Sequence, residues 1–361
     1  MTFPPEAGKV VAETGTTVDD TRSRKGAHLR INLEEDVSSK GVASGFDAYS
    51  FVHNALPELD LDDVDTSTTI FGRTLRAPIL ISCMTGGTMQ ARRFNRVLAR
   101  VAQEGRLAMG LGSGRALLEH PEVVDTFDVR SLAPDVLLFA NLGAVQLNKG
   151  YGIDDCRRLV SMLRADALVL HLNPLQEALQ PEGDTDFRGL LAKIESVCER
   201  AGVPVVVKEV GWGIADDLVR KLFDAGVSAV DVAGAGGTSW SEVERHRLAE
   251  PWRARVAAAF AGWGIPTAQC LQAARAIAPE GLLFASGGLR DGMDVAKAIA
   301  LGADLAGMAG PFLRAAADGH DAAVERAREI TEVLRIVMFA TGARTLADLR
   351  GTLVRKNEEE R

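Results

Sequence analysis

The stretch "LVLHLNPLQEALQ", residues 168 to 180, joins a short buried strand to a polar end. The strand body, 167–170, is apolar throughout, and Pro174 stops it. Four polar side chains close to this end carry chemistry: His171, Asn173, Gln176 and Glu177. Residues two apart on a strand project to the same side, so His171 and Asn173 share one face. A core strand that ends in an imidazole, two amides and a carboxylate predicts a functional site at its carboxyl end, with Gln176 and Glu177 in the following loop.

Seven further apolar runs resemble this strand, and segments with helical spacing separate them. The runs are "PILISCM" (78–84), "LAMGLG" (107–112), "VLLFANLG" (136–143), "VPVVVKEV" (203–210), "AVDVAGAGG" (229–237), "LLFASGG" (282–288) and "LAGMAG" (305–310). Strands without polar alternation are typical of a parallel sheet that helices cover on the outside. Eight of them predict an α/β fold of the (β/α)₈ TIM-barrel type. An open doubly wound sheet is the alternative, but it normally carries one Gly-rich turn, whereas here polar residues end nearly every strand.

The chain of 361 residues fits one large domain or two smaller ones. Residues 1–22 lack periodicity and predict a disordered tail, and residues 351–361 predict a polar C-terminal tail. We therefore expect a single barrel domain over 23–350, with an N-terminal arm. The insertion "TSWSEVERHRLAEPW" (238–252) falls between strands six and seven and is predicted to contain an exposed amphipathic helix.

Charge and composition exclude several classes of protein. The formal charge of −8 argues against nucleic acid and anionic membranes as partners. Four cysteines lie far apart without a CxxC pair, namely Cys83, Cys156, Cys198 and Cys270, which favours reduced thiols in a cytoplasm. We find neither an apolar run of about 18 residues nor a signal peptide, so we expect a cytoplasmic protein.

Gly-rich turns follow the last three predicted strands. "SGGLRDGMD" (286–294) and "AGMAGPF" (306–312) let backbone N–H groups and a helix N-terminus surround a phosphate, and Arg290 could add a bidentate contact. "AGAGGTSW" (233–240) is a further anion-binding turn, in which Thr238 offers a hydroxyl. Each turn alone could be an ordinary chain reversal. Together, at the usual phosphate site of barrels, they predict a bound phosphate group.

Other strand ends indicate a flat, charged ligand. "SCMTGG" (82–87) allows close backbone approach to a ring, and Asn141 ends strand three. Lys208 ends strand five, where a buried ammonium without a partner is costly, and a cation there could stabilise negative charge on a flavin. "RSRKGAHLRINL" (22–33) is either a solvated cationic arm or a clamp for a second anion through Arg24 and Lys25.

With these stretches the sequence closely resembles the type 2 isopentenyl-diphosphate Δ-isomerases, an FMN-dependent family. The matching motifs are "RKGAH", "SCMTGG", "GSGRA", "ANLG", "HLNPLQE", "VKEVGWG", "GAGGTSW", "SGGLRDG" and "AGMAGPF", in order over residues 24 to 312. The resemblance implies a (β/α)₈ barrel that interconverts isopentenyl and dimethylallyl diphosphate in isoprenoid biosynthesis. It also implies reduced FMN as the acid and base, NADPH as the reductant, Mg²⁺ on the diphosphate, and a homo-oligomer, tetrameric or octameric.

The resemblance assigns roles residue by residue. FMN is expected to contact Cys83, Met84, Thr85, Ser113, Asn141, Lys208, Thr238, Gly288, Leu289, Arg290, Ala309 and Gly310. The diphosphate substrate is expected to contact Arg24, Lys25, His28, Ser113, Gly114, Arg115, His171, Asn173 and Gln176. Glu177 is expected to ligate Mg²⁺, which proteins hold with few carboxylates plus phosphate oxygens and water. The predicted catalytic residues are Gln176, Lys208 and His171.

Two positions depart from the family pattern. Ala233 stands where we expect a serine, so one hydroxyl contact near the flavin is absent. Gly310 replaces an arginine that often precedes "PF", so we expect the phosphate to be held there by backbone N–H groups alone.

Two alternatives use the same barrel. An FMN-dependent 2-hydroxyacid oxidase or dehydrogenase needs a His–Arg pair at the flavin, and His246–Arg247 is a candidate within the predicted exposed helix. A non-catalytic flavin- or phosphate-binding protein would not need Gln176, Glu177 and a cationic clamp together.

Overall fold

Eight parallel strands close into a barrel at the centre of the structure, a computed structural model that describes residues 18–355. In chain order the barrel strands are Ile79–Ile81, Ala108–Gly110, Leu138–Gly143, Ala167–His171, Val205–Lys208, Ala229–Asp231, Leu282–Ser286 and Leu305–Met308. Each lies within one of the eight predicted runs. The eighth strand pairs with the first, Met308 opposite Ile81, so the barrel is confirmed and the open sheet is wrong.

Aromatic rings fill the end of the barrel where the strands begin. Phe139 and Phe284, from the third and seventh strands, meet edge to face with their ring centroids 6.2 Å apart. Phe71, from the chain before the first strand, packs against both rings. Burying each such ring stabilises the fold by roughly 1.5–3 kcal/mol. The interior is therefore a packed core, and the open end lies where the strands finish.

Helices cover the outside of the barrel and connect its strands. In chain order they are α1 Val18–Glu34, α2 Met89–Gly105, α3 Arg115–Glu119, α4 Ile153–Leu163, α5 Pro174–Leu179, α6 Leu190–Arg200, α7 Asp216–Asp224, α8 Trp240–Arg247, α9 Pro251–Ala258, α10 Thr267–Ile277, α11 Gly292–Ala300, α12 Gly310–Asp318 and α13 His320–Thr341. Short 3₁₀-helices occur at Phe46–Ala48, Leu61–Asp63, Pro121–Thr126 and Ala144–Asn148. Within residues 18–355, we find no helix with the length and apolarity needed to span a bilayer.

Helix α2 shows how local sequence sets an element. The Thr88 hydroxyl accepts a hydrogen bond from the Ala91 N–H at 3.0 Å, which caps the first turn. Phe94, Leu98 and other apolar residues at helical spacing are buried on one face. The helix ends at Arg106, which adopts a left-handed conformation with φ 49°.

Both ends of the domain extend beyond the predicted boundaries. Helix α1 begins at Val18, inside the segment predicted to be a disordered tail. Beyond residue 350, the short strand Leu353–Arg355 pairs with Tyr49–Phe51, so the predicted C-terminal tail begins with ordered backbone. The C-terminal strand forms by pairing with residues about 300 positions away, and the amino-acid composition of a segment does not indicate such contacts. Residues 1–17 and 356–361 lie outside the described residues. A second antiparallel pair, Thr68–Ile70 with Arg73–Leu75, precedes the barrel.

The insertion between the sixth and seventh strands is present, but its helix is not exposed. Helix α8 packs against α1 and α5, and its residues 241–244 are buried. The prediction of an exposed amphipathic helix is therefore wrong. Trp240, Val243, Glu244 and Arg247 lie at helical spacing on one face, and this face turns towards the end of the fourth strand.

Candidate active site

The segment after the fourth strand forms a short helix instead of the predicted loop. Pro174 is the first residue of α5, a position where its missing N–H costs no hydrogen bond. The strand itself ends at His171, whose Nδ1 lies 2.7 Å from the Oδ1 of Asn141 on the third strand. The structure thus brings together two predicted residues that are 30 positions apart in the chain.

Asn173 organises the two residues that follow it on α5. Its Nδ2 donates to the Glu177 Oε1 at 2.7 Å and to the Gln176 Oε1 at 3.2 Å. The other Glu177 oxygen accepts the Asp184 N–H at 2.7 Å, while burial raises the pKa of the Glu177 carboxyl above its ordinary value. The Oδ1 of Asn173 is buried and has no hydrogen-bond partner within residues 18–355. The orientation of Glu177 is therefore set by its neighbours.

Glu244 on α8 is a site residue that the sequence analysis missed. Its Oε1 accepts from the amides of Gln176 at 3.2 Å and Gln180 at 2.8 Å, and it lies 3.0 Å from the His28 Nε2. Its Oε2 accepts from the Arg247 Nε at 2.7 Å. Burial alone would raise the pKa of Glu244, but His28 and Arg247 outweigh it and lower the pKa to about 2. An ionised carboxylate therefore holds the Gln176 amide in one orientation.

Lys208 has partners that account for a buried ammonium at the end of an apolar strand. Its Nζ donates to the carbonyl of Glu209 at 2.7 Å and to the Ser286 hydroxyl at 3.2 Å, and lies 3.5 Å from the Asp231 carboxylate. Asp231 in turn accepts from the Ser286 hydroxyl at 2.8 Å. The fifth, sixth and seventh strands thus hold the Lys208 charge in a defined position.

Cys83 connects the first strand to the same region. Burial raises the pKa of its thiol to about 11, although the Lys208 charge and a hydrogen bond with Asn141 act in the opposite direction. The thiol is therefore protonated at neutral pH. The hydroxyl of the neighbouring Ser82 is buried without a hydrogen-bond partner in the described part of the chain.

The predicted cationic clamp lies on α1. The Lys25 Nζ donates to the carbonyl of Ser113 at 3.0 Å and lies 5.3 Å from the centre of the Phe127 ring. Burial, followed by the charges of Arg24 and Arg115, lowers the pKa of Lys25 to about 7, although Glu119 partly offsets this. The structure therefore places several cations close enough to repel one another.

His171 lies between two of these cationic groups. Burial, followed by the charges of Lys208 and Lys25, lowers its pKa to about 4. The ends of the fourth and fifth strands, where His171 pairs with Lys208, therefore share one electrostatic environment with the clamp. Arg115 pairs with Glu119 at 2.8 Å. Arg24 lies 3.8 Å from Glu182.

The Gly-rich turns after the sixth and seventh strands pack backbone against backbone. A Cβ on Gly287 would lie 2.1 Å from the Gly234 carbonyl oxygen, and one on Gly288 would lie 2.6 Å from that of Gly236. Both glycines also have positive φ, so no other residue fits without strain. The Arg290 guanidinium is more than half exposed and forms ion pairs with Asp294 and Asp47, so its predicted bidentate phosphate contact stays a prediction.

The remaining predicted flavin contacts lie at the same end of the barrel. Met84 and Thr238 are half-buried, Leu289 is buried, and the Thr85 carbonyl accepts the Gly112 N–H at 3.1 Å. The Gly114 N–H donates to the Asn141 carbonyl at 2.7 Å. Ala309 precedes the first residue of α12, Gly310. Ala233, where a serine was expected, directs its N–H to Asp231 at 3.2 Å.

These features fit a flavin mononucleotide. The glycine turns leave a cradle that side chains would fill, and unpaired buried polar atoms of Ser82 and Asn173 point to a polar ligand. An open groove of about 1010 Å³ lies elsewhere, between residues 62–76, the end of α2 and α13, and contains none of the predicted site residues. Residues 18–355 contain no cluster of three or more His, Cys, Asp or Glu side chains arranged to hold a metal.

Comparison with known proteins defines the class first. The chain belongs to the FMN-dependent dehydrogenase family, whose sequence profile matches residues 25–123 and 173–356. A mandelate oxidase variant solved with an FMN adduct shares the fold, with a TM-score of 0.62 and 19% identity over 91% of this chain and 95% of that one. A lactate oxidase from Pediococcus acidilactici has a TM-score of 0.66 and 15% identity over 94% and 93%.

Within this class the chain belongs to the isopentenyl-diphosphate delta-isomerase family. The isomerase from Nostoc sp. is 53% identical over 337 residues, covering 93% of this chain and 96% of that protein. The isomerase from Rickettsia bellii is 49% identical and covers 92% and 97%. The resemblance found in the sequence motifs is confirmed. Family membership and the fit of the cradle together support FMN as the cofactor.

Proposed function

We propose that the protein interconverts isopentenyl and dimethylallyl diphosphate, as an isomerase of isoprenoid biosynthesis. The observation that carries this proposal is the arrangement around Gln176. Its amide is held between Asn173 and the ionised Glu244, on the same strand end as His171, whose pKa responds to both Lys25 and Lys208. The relatives named as isomerases share about half of their residues with this chain over most of its length.

The cations on α1 and α3 supply the diphosphate site. Arg24, Lys25 and Arg115 converge there, and burial, followed by the charges of Arg24 and Arg115, lowers the pKa of Lys25. A diphosphate would relieve this repulsion and would be held by charge-assisted hydrogen bonds. His28 lies beside this group and contacts Glu244, which links the diphosphate site to Gln176.

Glu177 supplies a carboxylate for Mg²⁺. Its two oxygens already accept from Asn173 and Asp184, and each keeps a lone pair for a cation. Mg²⁺ is usually held by one or two carboxylates, phosphate oxygens and water, so a single protein carboxylate suffices. Glu177→Gln should raise the Mg²⁺ concentration needed for half-maximal rate, and should weaken Mn²⁺ binding as measured by paramagnetic resonance. An unchanged Mg²⁺ requirement would mean that the metal lies elsewhere.

Moving a double bond requires a proton to be added at one carbon and removed from another, without net oxidation. Reduced FMN, maintained by NADPH, supplies the acid and base for this transfer when it is bound. Lys208 provides a fixed positive charge to stabilise the anionic ring. Gln176 positions the reacting end of the substrate, and Glu244 fixes the Gln176 amide.

The deciding assay measures isopentenyl diphosphate conversion with and without FMN, NADPH and Mg²⁺. Gln176→Ala should lower kcat by about 100-fold or more, the scale of a lost positioning or proton-transfer contact. Gln180→Ala is the matched control, because it removes the other amide from Glu244, and it should keep kcat within about tenfold. Full turnover by the Gln176→Ala protein would overturn the assignment.

The alternative function, a 2-hydroxyacid oxidase or dehydrogenase, would need His246 and Arg247 to act at the flavin. The Arg247 guanidinium is bound by Glu244 at 2.7 Å and by Glu182 at 2.8 Å, so two of its three nitrogens are already engaged by carboxylates of this protein. Anaerobic mixing with 2-hydroxyacids should leave the flavin oxidised; bleaching would revive this alternative. Isomer exchange in D₂O separates the enzyme from a non-catalytic flavin-binding protein.

A homo-oligomer stays a prediction, and light scattering of the purified protein would test it.

A further inference from the structure

Arg314 on α12 is a cation without a partner. It is exposed, and no residue within 18–355 forms a hydrogen bond or ion pair with its side chain. Its guanidinium folds back over the first turn of the helix, with Nη1 3.2 Å and Nη2 3.5 Å from the position that a Cβ on Gly310 would occupy. Gly310 therefore leaves the space that the Arg314 guanidinium reaches.

This position is electrostatically unfavourable for a lone cation. The N-terminus of a helix carries partial positive charge and attracts anions. Helix α12 has no acidic residue in its first turn to compensate. An anion bound here would stabilise both the guanidinium and the helix N-terminus.

Backbone N–H groups beside Arg314 also lack acceptors. No hydrogen bond within the described residues uses the N–H of Gly288, Gly310 or Phe312, and Phe312 is completely buried. The seventh and eighth strands pair side by side, Ser286 opposite Gly307, so the turn at Gly288 lies next to the start of α12. Buried N–H groups are nearly always bonded, so these groups point to an absent acceptor.

We propose that Arg314 binds the phosphate of FMN, in the cradle formed by residues 287–289 and 309–312. Its guanidinium would provide the charge-assisted contact, and the N–H groups of the two turns would complete the site. Arg290, at the end of the first of these turns, is paired with Asp294 and Asp47, and Arg314 would add a second positive charge to the phosphate site. The inference rests on FMN binding alone and not on the isomerase reaction.

A comparison of two flavins tests the phosphate contact directly. Apoprotein is titrated with FMN and with riboflavin, which lacks the phosphate, and flavin fluorescence is recorded. Arg314→Gln should raise the Kd for FMN by roughly tenfold to 100-fold and leave the Kd for riboflavin within about twofold. The matched control is Arg328→Gln, which removes the same charge from an exposed arginine on α13 and should change neither Kd.

A second variant tests whether an arginine at position 310 can replace Arg314 in binding the phosphate. The three atoms nearest to a Cβ on Gly310 all belong to the Arg314 side chain, so Arg314→Ala should make room for Gly310→Arg. This double variant should recover FMN affinity to within about fivefold of the parent protein. If the double variant does not recover FMN affinity, an arginine at position 310 does not replace Arg314.

Equal weakening of FMN and riboflavin by Arg314→Gln, or no weakening of either, would overturn the phosphate assignment. Circular dichroism confirms that each variant is folded. Because no isoprenoid substrate is present, these titrations succeed or fail independently of the proposed isomerase activity.

Discussion

Buried basic side chains lie at both ends of the barrel, and those at the open end include two with few hydrogen-bond partners, Lys25 and His171. At the end where the strands begin, Arg130 uses its guanidinium fully. It donates to Asp166 at 2.8 Å and to four backbone carbonyls, those of Ala133, Pro134, Val136 and Arg164. Asp166 also accepts the Leu138 N–H at 2.9 Å, which fixes the start of the third strand.

The same arrangement recurs four strands later. Arg275 donates to Asp304 at 2.8 Å and to four carbonyls, those of Ala278, Pro279, Gly281 and Gly302. Asp304 accepts the Leu283 N–H at 2.8 Å, at the start of the seventh strand. In both places an arginine and an aspartate satisfy the loop that enters a strand.

At the open end Lys208 is held by Glu209, Ser286 and Asp231, but Lys25 and His171 are left partly unsatisfied. Lys25 donates to a single carbonyl, and its pKa is lowered to about 7. His171, whose pKa of about 4 keeps the imidazole uncharged at neutral pH, has one partner. Basic side chains whose hydrogen bonds are all made within the protein stabilise the fold. Those with few partners keep donors free for a ligand, and this lowers stability. The variants below test this contrast.

The largest effect should follow from Arg130→Met. It leaves Asp166 and four carbonyls without their donor, and breaking a buried ion pair in this way costs about 3–5 kcal/mol. Thermal unfolding followed by circular dichroism should show a clear drop in the midpoint, and Arg275→Met should behave alike. Unchanged midpoints in both variants would show that the hydrogen bonds and ion pairs of Arg130 and Arg275 do not stabilise the fold.

Glu244→Ala should mainly affect catalysis. Releasing the Gln176 amide should lower kcat by about 100-fold, the cost of misplacing a reacting group by an ångström. The Kd for FMN, measured by fluorescence, should stay unchanged because Glu244 contacts no predicted flavin residue. A normal kcat would mean that Gln176 does not need this carboxylate.

Lys25 should give a pH dependence centred on its lowered pKa. As pH rises through about 7, the free enzyme loses the Lys25 charge, so kcat/KM for the diphosphate should fall. Lys25→Arg should remove this decline, because arginine stays charged. A decline of the same size in Lys25→Arg would assign it to another group.

The same group affects stability with a defined sign. The pKa of Lys25 is about 7 when folded and 10.5 ordinarily, so the unfolded chain binds the proton more tightly between these values. Folding stability should therefore rise with pH across this interval. Denaturant titrations should show a smaller rise in Lys25→Met than in the parent protein.

The smallest effect concerns the His171 proton. With a pKa of about 4 and Nδ1 facing the Asn141 oxygen, the imidazole should be neutral at about pH 6, with the hydrogen on Nδ1. Nitrogen chemical shifts from NMR distinguish this state from the protonated ring. Signals of a charged imidazole would contradict the lowered pKa.

Much of the fold was predictable because its signals are local. The eight apolar runs are bounded by turns, and each became a barrel strand. The glycines at 287 and 288 predicted a phosphate-binding turn, and the structure shows that this turn packs against the backbone of the preceding one. Helix α8 was misjudged, because a polar-rich helix resembles a solvated one until its partners are known.

The sequence by itself determined the barrel, the polar strand ends, the glycine cradle and the family, since these depend on residue type and short spacing along the chain. Only the tertiary structure decided that Glu244 reaches Gln176, 68 positions away, that Arg290 is bound by Asp47, and that Leu353–Arg355 pairs with Tyr49–Phe51. Such contacts depend on how elements pack in space, and packing brings together side chains whose separation in the chain carries no signal.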